Sequence, residues 1–137
     1  WPGFSLLPAG TDLEAELVGE FLMPRLILRG SLVFGVGDPS EMFAIILRGR
    51  VKCFVTSADS GREFTYVSYG PGQLLGDLDF SLARPRTFSA VAEEDSQLLE
   101  LSRQEYVRLA REKPGVFGAL QCVLVQTTQM SAGHAVE

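Results

Sequence analysis

Short β-prone runs, each closed by turn residues, fill the middle of the chain and leave few folds open to it. Leu26-Ile27-Leu28, Leu32-Val33-Phe34 and Phe43-Ala44-Ile45-Ile46-Leu47 are apolar, too short for helices, and separated by Gly, Asp, Pro and Ser. Gly37-Asp38-Pro39-Ser40 is a turn with a mechanism: Gly permits positive φ, Pro fixes φ, and Asp and Ser bond to nearby backbone. Arg48-Gly49-Arg50 makes a tight hairpin, after which Val51, Cys53 and Val55 alternate with Lys52 and Phe54. Residues 57–61 form a longer hairpin loop, and a strand from Phe64 to Tyr69 closes at Gly70-Pro71-Gly72. Thr87 to Ala92 and Gln97 to Leu101 supply two more strands. About eight short strands with Gly-rich turns predict a mainly β fold, an antiparallel β-roll or jelly roll.

Helices flank this block. Thr11 and Glu14 have capping-box spacing, and Leu13, Leu17 and Phe21 recur every four residues, so a helix runs from Thr11 and stops near Pro24. Ser102-Arg103-Gln104-Glu105 is a second capping box, opening a helix that carries Tyr106, Leu109 and Ala110 until Lys113-Pro114-Gly115 breaks it. Val116 to Met130 reads as a final helix with Phe117, Leu120 and Leu124 on one face, a stripe that serves either as core or as a lid. The organisation expected is a helical segment over 1–24, a β-roll over 25–101 and C-terminal helices with a tail over 102–137.

Composition narrows the function classes. A chain of 137 residues and 15.0 kDa fits one core. Twelve basic against seventeen acidic residues give a net charge of −5, which argues against a direct grip on nucleic acid. No apolar run approaches the ~20 residues of a bilayer span, so no direct membrane insertion is expected. The chain starts Trp1-Pro2, without Met or a signal pattern, and reads as a cytoplasmic piece of a larger protein. His134, in a polar tail, is the sole histidine; Ser/His/Asp triads and cupin-type metal sites need histidines inside the fold, and zinc sites need Cys/His clusters, of which the sequence has none. No enzyme activity, metal or resident cofactor is expected. Cys53 and Cys122 lie far apart in apolar segments and read as buried free thiols.

One stretch carries chemistry. From Leu74 to Ala92 a strand enters, Gly76 breaks it, a short helical turn follows at about Asp79 to Leu82, and Arg84-Pro85-Arg86 leads into the next strand. Helix-start N–H groups suit an anion, and Arg86 adds a permanent charge with a planar donor fork suited to phosphate. Asp77 can accept from a sugar hydroxyl, and Gly76 lets backbone approach closely. Together these describe a site for a small phosphorylated sugar.

At this point the sequence resembles the cyclic-nucleotide-binding domain family, over roughly Leu26 to Met130. The resemblance includes the Gly37-Asp38-Pro39 turn, the Arg48-Gly49-Arg50-Val51 hairpin, Gly70-Pro71-Gly72 and the two C-terminal helices. Its most specific part is the phosphate-binding cassette at 75–90, where Leu75-Gly76-Asp77 and Pro85-Arg86-Thr87 stand at the family's spacing without a gap. The resemblance implies a regulatory sensor of cAMP or cGMP with a ligand site at Gly76, Asp77, Leu78, Asp79, Arg86 and Thr87. Gly76 and Asp77 would hold the ribose 2′-hydroxyl, Arg86 the cyclic phosphate, and Thr87 a guanine. The final helix would lie over the base. The partners implied are a cyclic nucleotide and an effector on the same parent chain. Within the family, Gly-Asp-Leu-Asp-Phe followed by Arg-Pro-Arg-Thr-Phe-Ser-Ala is most similar to domains at the cytosolic ends of SulP-type sulfate transporters.

Departures from the family pattern leave alternatives open. Asp77 is one methylene shorter than the family's Glu. Asp79 replaces a small residue whose N–H approaches the phosphate, and Phe88 replaces another small residue. Asp79 either caps the short helix or points inward, pairs with Arg86 and imitates the phosphate. Arg86 either takes a phosphate or pairs structurally with Asp77 or Asp79; in the first case its removal costs the free domain little stability. Thr87 reads a base or simply suits a strand. Glu93-Glu94-Asp95 reads as a solvated turn, and Arg48 and Arg50 as exposed. The competing function is a degenerate, ligand-free interaction module that keeps the fold. A transcription factor would need a helix-turn-helix beyond the final helix.

Overall fold

The computed structural model describes residues 20–122 and 124, apart from the side chain of Tyr66. The helix expected from Thr11 lies outside them as far as residue 19, and Glu20 is its one described helical residue. Eight strands follow: β1 (Met23–Ile27), β2 (Leu32–Phe34), β3 (Met42–Arg48), β4 (Val51–Thr56), β5 (Glu63–Tyr69), β6 (Leu74–Leu75), β7 (Ser89–Ala92) and β8 (Ser96–Ser102). A five-residue helix α1 (Asp77–Ser81) sits between β6 and β7, and α2 (Arg103–Glu112) follows β8. A last helix, α3, occupies 114–122 and continues at 124.

The strands form two antiparallel four-stranded sheets, ordered β1-β8-β3-β6 and β2-β7-β4-β5. The expected mainly β, antiparallel architecture with flanking helices is the one observed. In the first sheet β3, β6 and β8 are covered on both faces, their residues alternating between two cores, while edge strand β1 is largely exposed. Ala44 and Ile46 of β3, Leu75 of β6 and Leu98 of β8 face the second sheet, where they meet Val33, Val51, Cys53, Ala90 and Ala92. Phe43 and Ile45 of β3, Leu74 of β6 and Leu101 of β8 face the other way, onto Phe80 of α1, Leu109 of α2, and Val116, Leu120 and Leu124. The uninterrupted apolar run at 43–47 is therefore the signature of a strand buried on both sides. Among the described residues no helix is long and apolar enough to cross a membrane.

Four expectations need correction. Pro24 lies inside β1, paired with Leu99, and the sheet begins at Met23. β1 is an edge strand, the place in a sheet where proline is tolerated. The strand expected from Thr87 begins only at Ser89, because Thr87 gives its N–H to a side chain. The short helix starts at Asp77 rather than Asp79. Cys53 is buried, its thiol pushed up to about 12 by loss of solvation, whereas Cys122 is exposed on α3.

Candidate functional site

Gly76 creates the break between β6 and α1. It caps α1 with φ +77° and ψ +11°, a left-handed conformation that costs an L side chain about 1–2 kcal/mol. A Cβ here would also lie 2.5 Å from Arg86 Nη1 and 3.1 Å from the Phe34 ring. The close approach inferred for Gly76 is real, and it is made to Arg86. The chain leaves α1 through Ala83, the one non-glycine residue with positive φ among those described, at +51°.

Arg86 is buried, at 3% exposure. Its Nη1 donates to Gly76 O at 2.6 Å, its Nη2 to Met42 O, and its guanidinium stacks 4.0 Å from the centre of the Phe34 ring. Its backbone is zipped to the turn at 37–40: Gly37 N–H donates to Arg86 O and Arg86 N–H to Asp38 O, both at 2.8 Å. Ser40 Oγ donates to Arg84 O. Nε of Arg86 is buried and has no hydrogen-bond partner. Burial lowers the Arg86 pKa, and the nearby Asp79 charge works against that fall. Arg86 thus holds the strand break to the start of β3, as well as placing a cation in the site. With these bonds in place, loss of Arg86 is expected to cost the free domain more stability than a phosphate role alone implies.

Asp77 is 7% exposed, and its Oδ2 is buried with no partner. Burial raises its pKa, while its own N–H, that of Leu78 and the Arg86 charge pull the other way. Asp77 Oδ2 is a placed acceptor that a hydroxyl donor would satisfy. Leu78, the residue between the two acids, is exposed at 36%.

Asp79 is 4% exposed and collects three donors. Arg84 Nε reaches Oδ1 at 2.6 Å, and Thr87 N–H and Thr87 Oγ1 each reach Oδ2 at 3.0 Å. Burial pushes its pKa up, but these bonds outweigh that and hold it below the usual carboxylate range. Asp79 points inward, yet its ion-pair partner is Arg84. Sequence reasoning named Arg84 only as part of Arg84-Pro85-Arg86; a second arginine five residues after an Asp was the available signal. Thr87 lies outside the strands, and its hydroxyl donates to Asp79, which leaves the oxygen's acceptor lone pairs available. Phe88 packs against the inter-sheet core.

A third arginine couples the site to the helices. Arg103 is the first residue of α2, and its Nη2 donates to Ser40 O at 2.7 Å and to Phe80 O at 2.8 Å. Its guanidinium lies 4.0 Å from the Phe80 ring centre. Edge-to-face contacts then run Phe43–Phe80–Tyr106–Phe117, each at 5.0 Å between centroids. Tyr106 OH donates to Gln121 Oε1 at 3.0 Å. In the described part of α3 the apolar stripe is core; the part that could reach over a base lies outside the described residues. Arg48, Arg50 and residues 93–95 are exposed, as expected.

Residues 24–113 match the family model described as the cyclic nucleotide-binding domain. The chain is 34% identical over 113 residues to the "Cyclic AMP receptor protein" of Thermus thermophilus, an alignment covering 82% of this chain and 52% of that one. It is 30% identical over 107 residues to "Lysophospholipase NTE1" of Chaetomium globosum, covering 69% of this chain and 7% of the fungal protein. The chain thus spans about half the length of the receptor and a small part of the lysophospholipase. Its structure resembles the N-terminal domain of a transcriptional regulator from Streptomyces coelicolor A3(2), with a TM-score of 0.78 and 27% identity over 93% of this chain and 91% of that one.

Proposed function

This chain belongs to the cyclic nucleotide-binding domain family, and we propose that it is a regulatory domain that senses a cyclic nucleotide, cAMP or cGMP, for an effector on the same parent chain. One observation carries the reading. Within the matched region, a buried acceptor and a buried cation flank the same left-handed glycine: Asp77 Oδ2 without a partner, and Arg86 with its Nε unpaired. That pair suits a ligand with a sugar hydroxyl on one side and an anionic group on the other.

The ligand would be a regulatory signal rather than a cofactor, and the reading assigns no bond-breaking step to any residue. A ligand shifts an effector only by binding two arrangements of the domain unequally. The elements that support such coupling are the Arg103 bonds to Phe80 and Ser40 and the aromatic contacts through Tyr106 to α3. The receptor and regulator relatives support a transcriptional effector. The run Gly76-Asp77-Leu78-Asp79-Phe80, with its likeness to SulP-type transporter domains, supports a membrane transporter with this domain in the cytoplasm. A second reading, the ligand-free interaction module, is favoured by the inward Asp79, whose bonds occupy Thr87 and Arg84.

Calorimetric titration of the 137-residue chain with cAMP and cGMP, up to millimolar ligand, tests the sensor reading. Saturable binding that Asp77→Ala weakens is the expected result. No binding by the parent chain or by Asp79→Ala would leave the ligand-free module as the function.

A further inference from the structure

Arg84 and Thr87 present one basic Nε–H, one backbone N–H and one hydroxyl toward a single point, beside the Arg86 guanidinium. That is a donor set for an oxyanion, and the oxyanion that fills it is the chain's own Asp79 carboxylate, bound at 2.6, 3.0 and 3.0 Å. The carboxylate is 4% exposed and approaches from α1, two residues after Asp77. Three distinct segments fix the arrangement. Asp79 is set by the Gly76 cap, Arg84 by Arg84 N–H donating to Asp79 O at 3.1 Å and by Ser40 Oγ donating to Arg84 O, and Thr87 by the Arg86 backbone bonds to the 37–38 turn.

We propose that Asp79 is an internal anion that occupies the oxyanion donors of the site, so that a phosphate-bearing ligand binds only by displacing it. The inference rests on the cyclic-nucleotide reading and deepens it by naming the residue that sets affinity. An arriving phosphate meets two costs. It must break bonds that the buried carboxylate already makes to two exposed residues, Arg84 and Thr87, and it must accept a like charge nearby. Arg86 attracts both anions, so it does not choose between them. The domain is therefore held in its unliganded arrangement by a contact built into the cassette. Selection against phosphate resides in one side chain, not in loss of the arginine.

The geometry also separates this role from helix capping. Gly76 is the N-cap residue of α1 and has no side chain to bond there, while Asp79 points toward 84–87, across the break, rather than back along its own helix. A carboxylate that only favoured the start of α1 would have no need of Thr87.

The test compares the parent chain with Asp79→Ala and Asp79→Asn, titrated with cAMP and cGMP by calorimetry. Thermal unfolding is followed with and without each nucleotide. If Asp79 is the displaced anion, both variants bind at least about ten-fold more tightly than the parent, the loss of one competing charged hydrogen-bond set. The melting temperature of each variant also falls without ligand and rises further than the parent's when nucleotide is added. A purely structural Asp79 would lower the melting temperature and leave affinity unchanged or weaker. Equal, measurable affinity in parent and variants overturns the proposal while leaving the cyclic-nucleotide reading intact. Absence of binding in all three overturns both. Should Asp79→Ala fail to fold, Asp79→Asn retains the shape and an acceptor toward Thr87 and decides the matter alone.

Discussion

Replacing Arg86 by Ala removes more than a ligand contact. The guanidinium makes two charge-assisted hydrogen bonds, to Gly76 O and Met42 O, and stacks on Phe34. Bonds to a charged group contribute about 1.5–3 kcal/mol each, so the pair is worth about 3–6 kcal/mol before opposing terms. The chief opposing term is the desolvation of a cation that is only 3% exposed, which the Ala variant no longer bears. Two backbone carbonyls are left near an apolar ring, and water entering the gap recovers part of their loss. The net expectation is a destabilisation of about 2–4 kcal/mol. For a domain of this size that corresponds to a fall in melting temperature of about 6–16 °C. Urea denaturation of the free chain at neutral pH, checked by thermal unfolding, measures it. Arg86→Lys, with one ammonium in place of the fork, falls between parent and Ala. A loss under about 0.5 kcal/mol for Arg86→Ala would refute the frame-holding role, because surface substitutions already reach that size.

Three further outcomes follow from the same geometry. Gly76→Ala forces an L side chain into φ +77° with its Cβ 2.5 Å from Arg86 Nη1; it is expected to cost more than the about 1–2 kcal/mol of left-handed strain alone, read by urea unfolding. Asp77 has a folded pKa raised chiefly by burial, so its ionisation costs stability above that pKa. Asp77→Asn is therefore more stable than the parent at pH 7, and the advantage fades as pH falls through the raised folded pKa toward the ordinary value of about 3.9, as denaturation midpoints across that range will show. Tyr106→Phe removes the hydroxyl that donates to Gln121 Oε1 and is expected to cost about 1 kcal/mol, with increased hydrogen exchange in α3 as the local readout.

The sheets were legible because their signals are local. Gly37, Gly49, Gly61 and Gly72 all take positive φ, and each stands at a turn that the sequence marks between β-prone runs. The run 43–47 is legible as a strand from its length, β propensity and flanking turn residues, whereas its lack of a polar face finds its reason only in the two cores on either side. Pro24 misled because the rule that proline ends elements does not distinguish a central strand from an edge, and edge position is a property of the assembled sheet. Thr87 misled for a related reason: β propensity ignores an acceptor eight residues earlier. The site was legible in composition and less so in pairing. Two arginines flank Pro85, and nothing in the local sequence marks that Arg84 pairs with Asp79 while Arg86 bonds to backbone carbonyls; the positive φ of Ala83 is likewise unmarked by its side chain.

Arg103 gives the site mechanical leverage. One guanidinium grips the carbonyl of Phe80, within the short helix, and that of Ser40, while its own backbone begins α2. A ten-residue helix is about 15 Å long, so a tilt of about 10° about that gripped end swings the far end by roughly 2–3 Å. Lys113 and the start of α3 ride on that end, where Lys113 N–H donates to Leu109 O and Phe117 N–H to Lys113 O. Motion at α1 too small to disturb either sheet would thus be multiplied along α2 before it reaches α3.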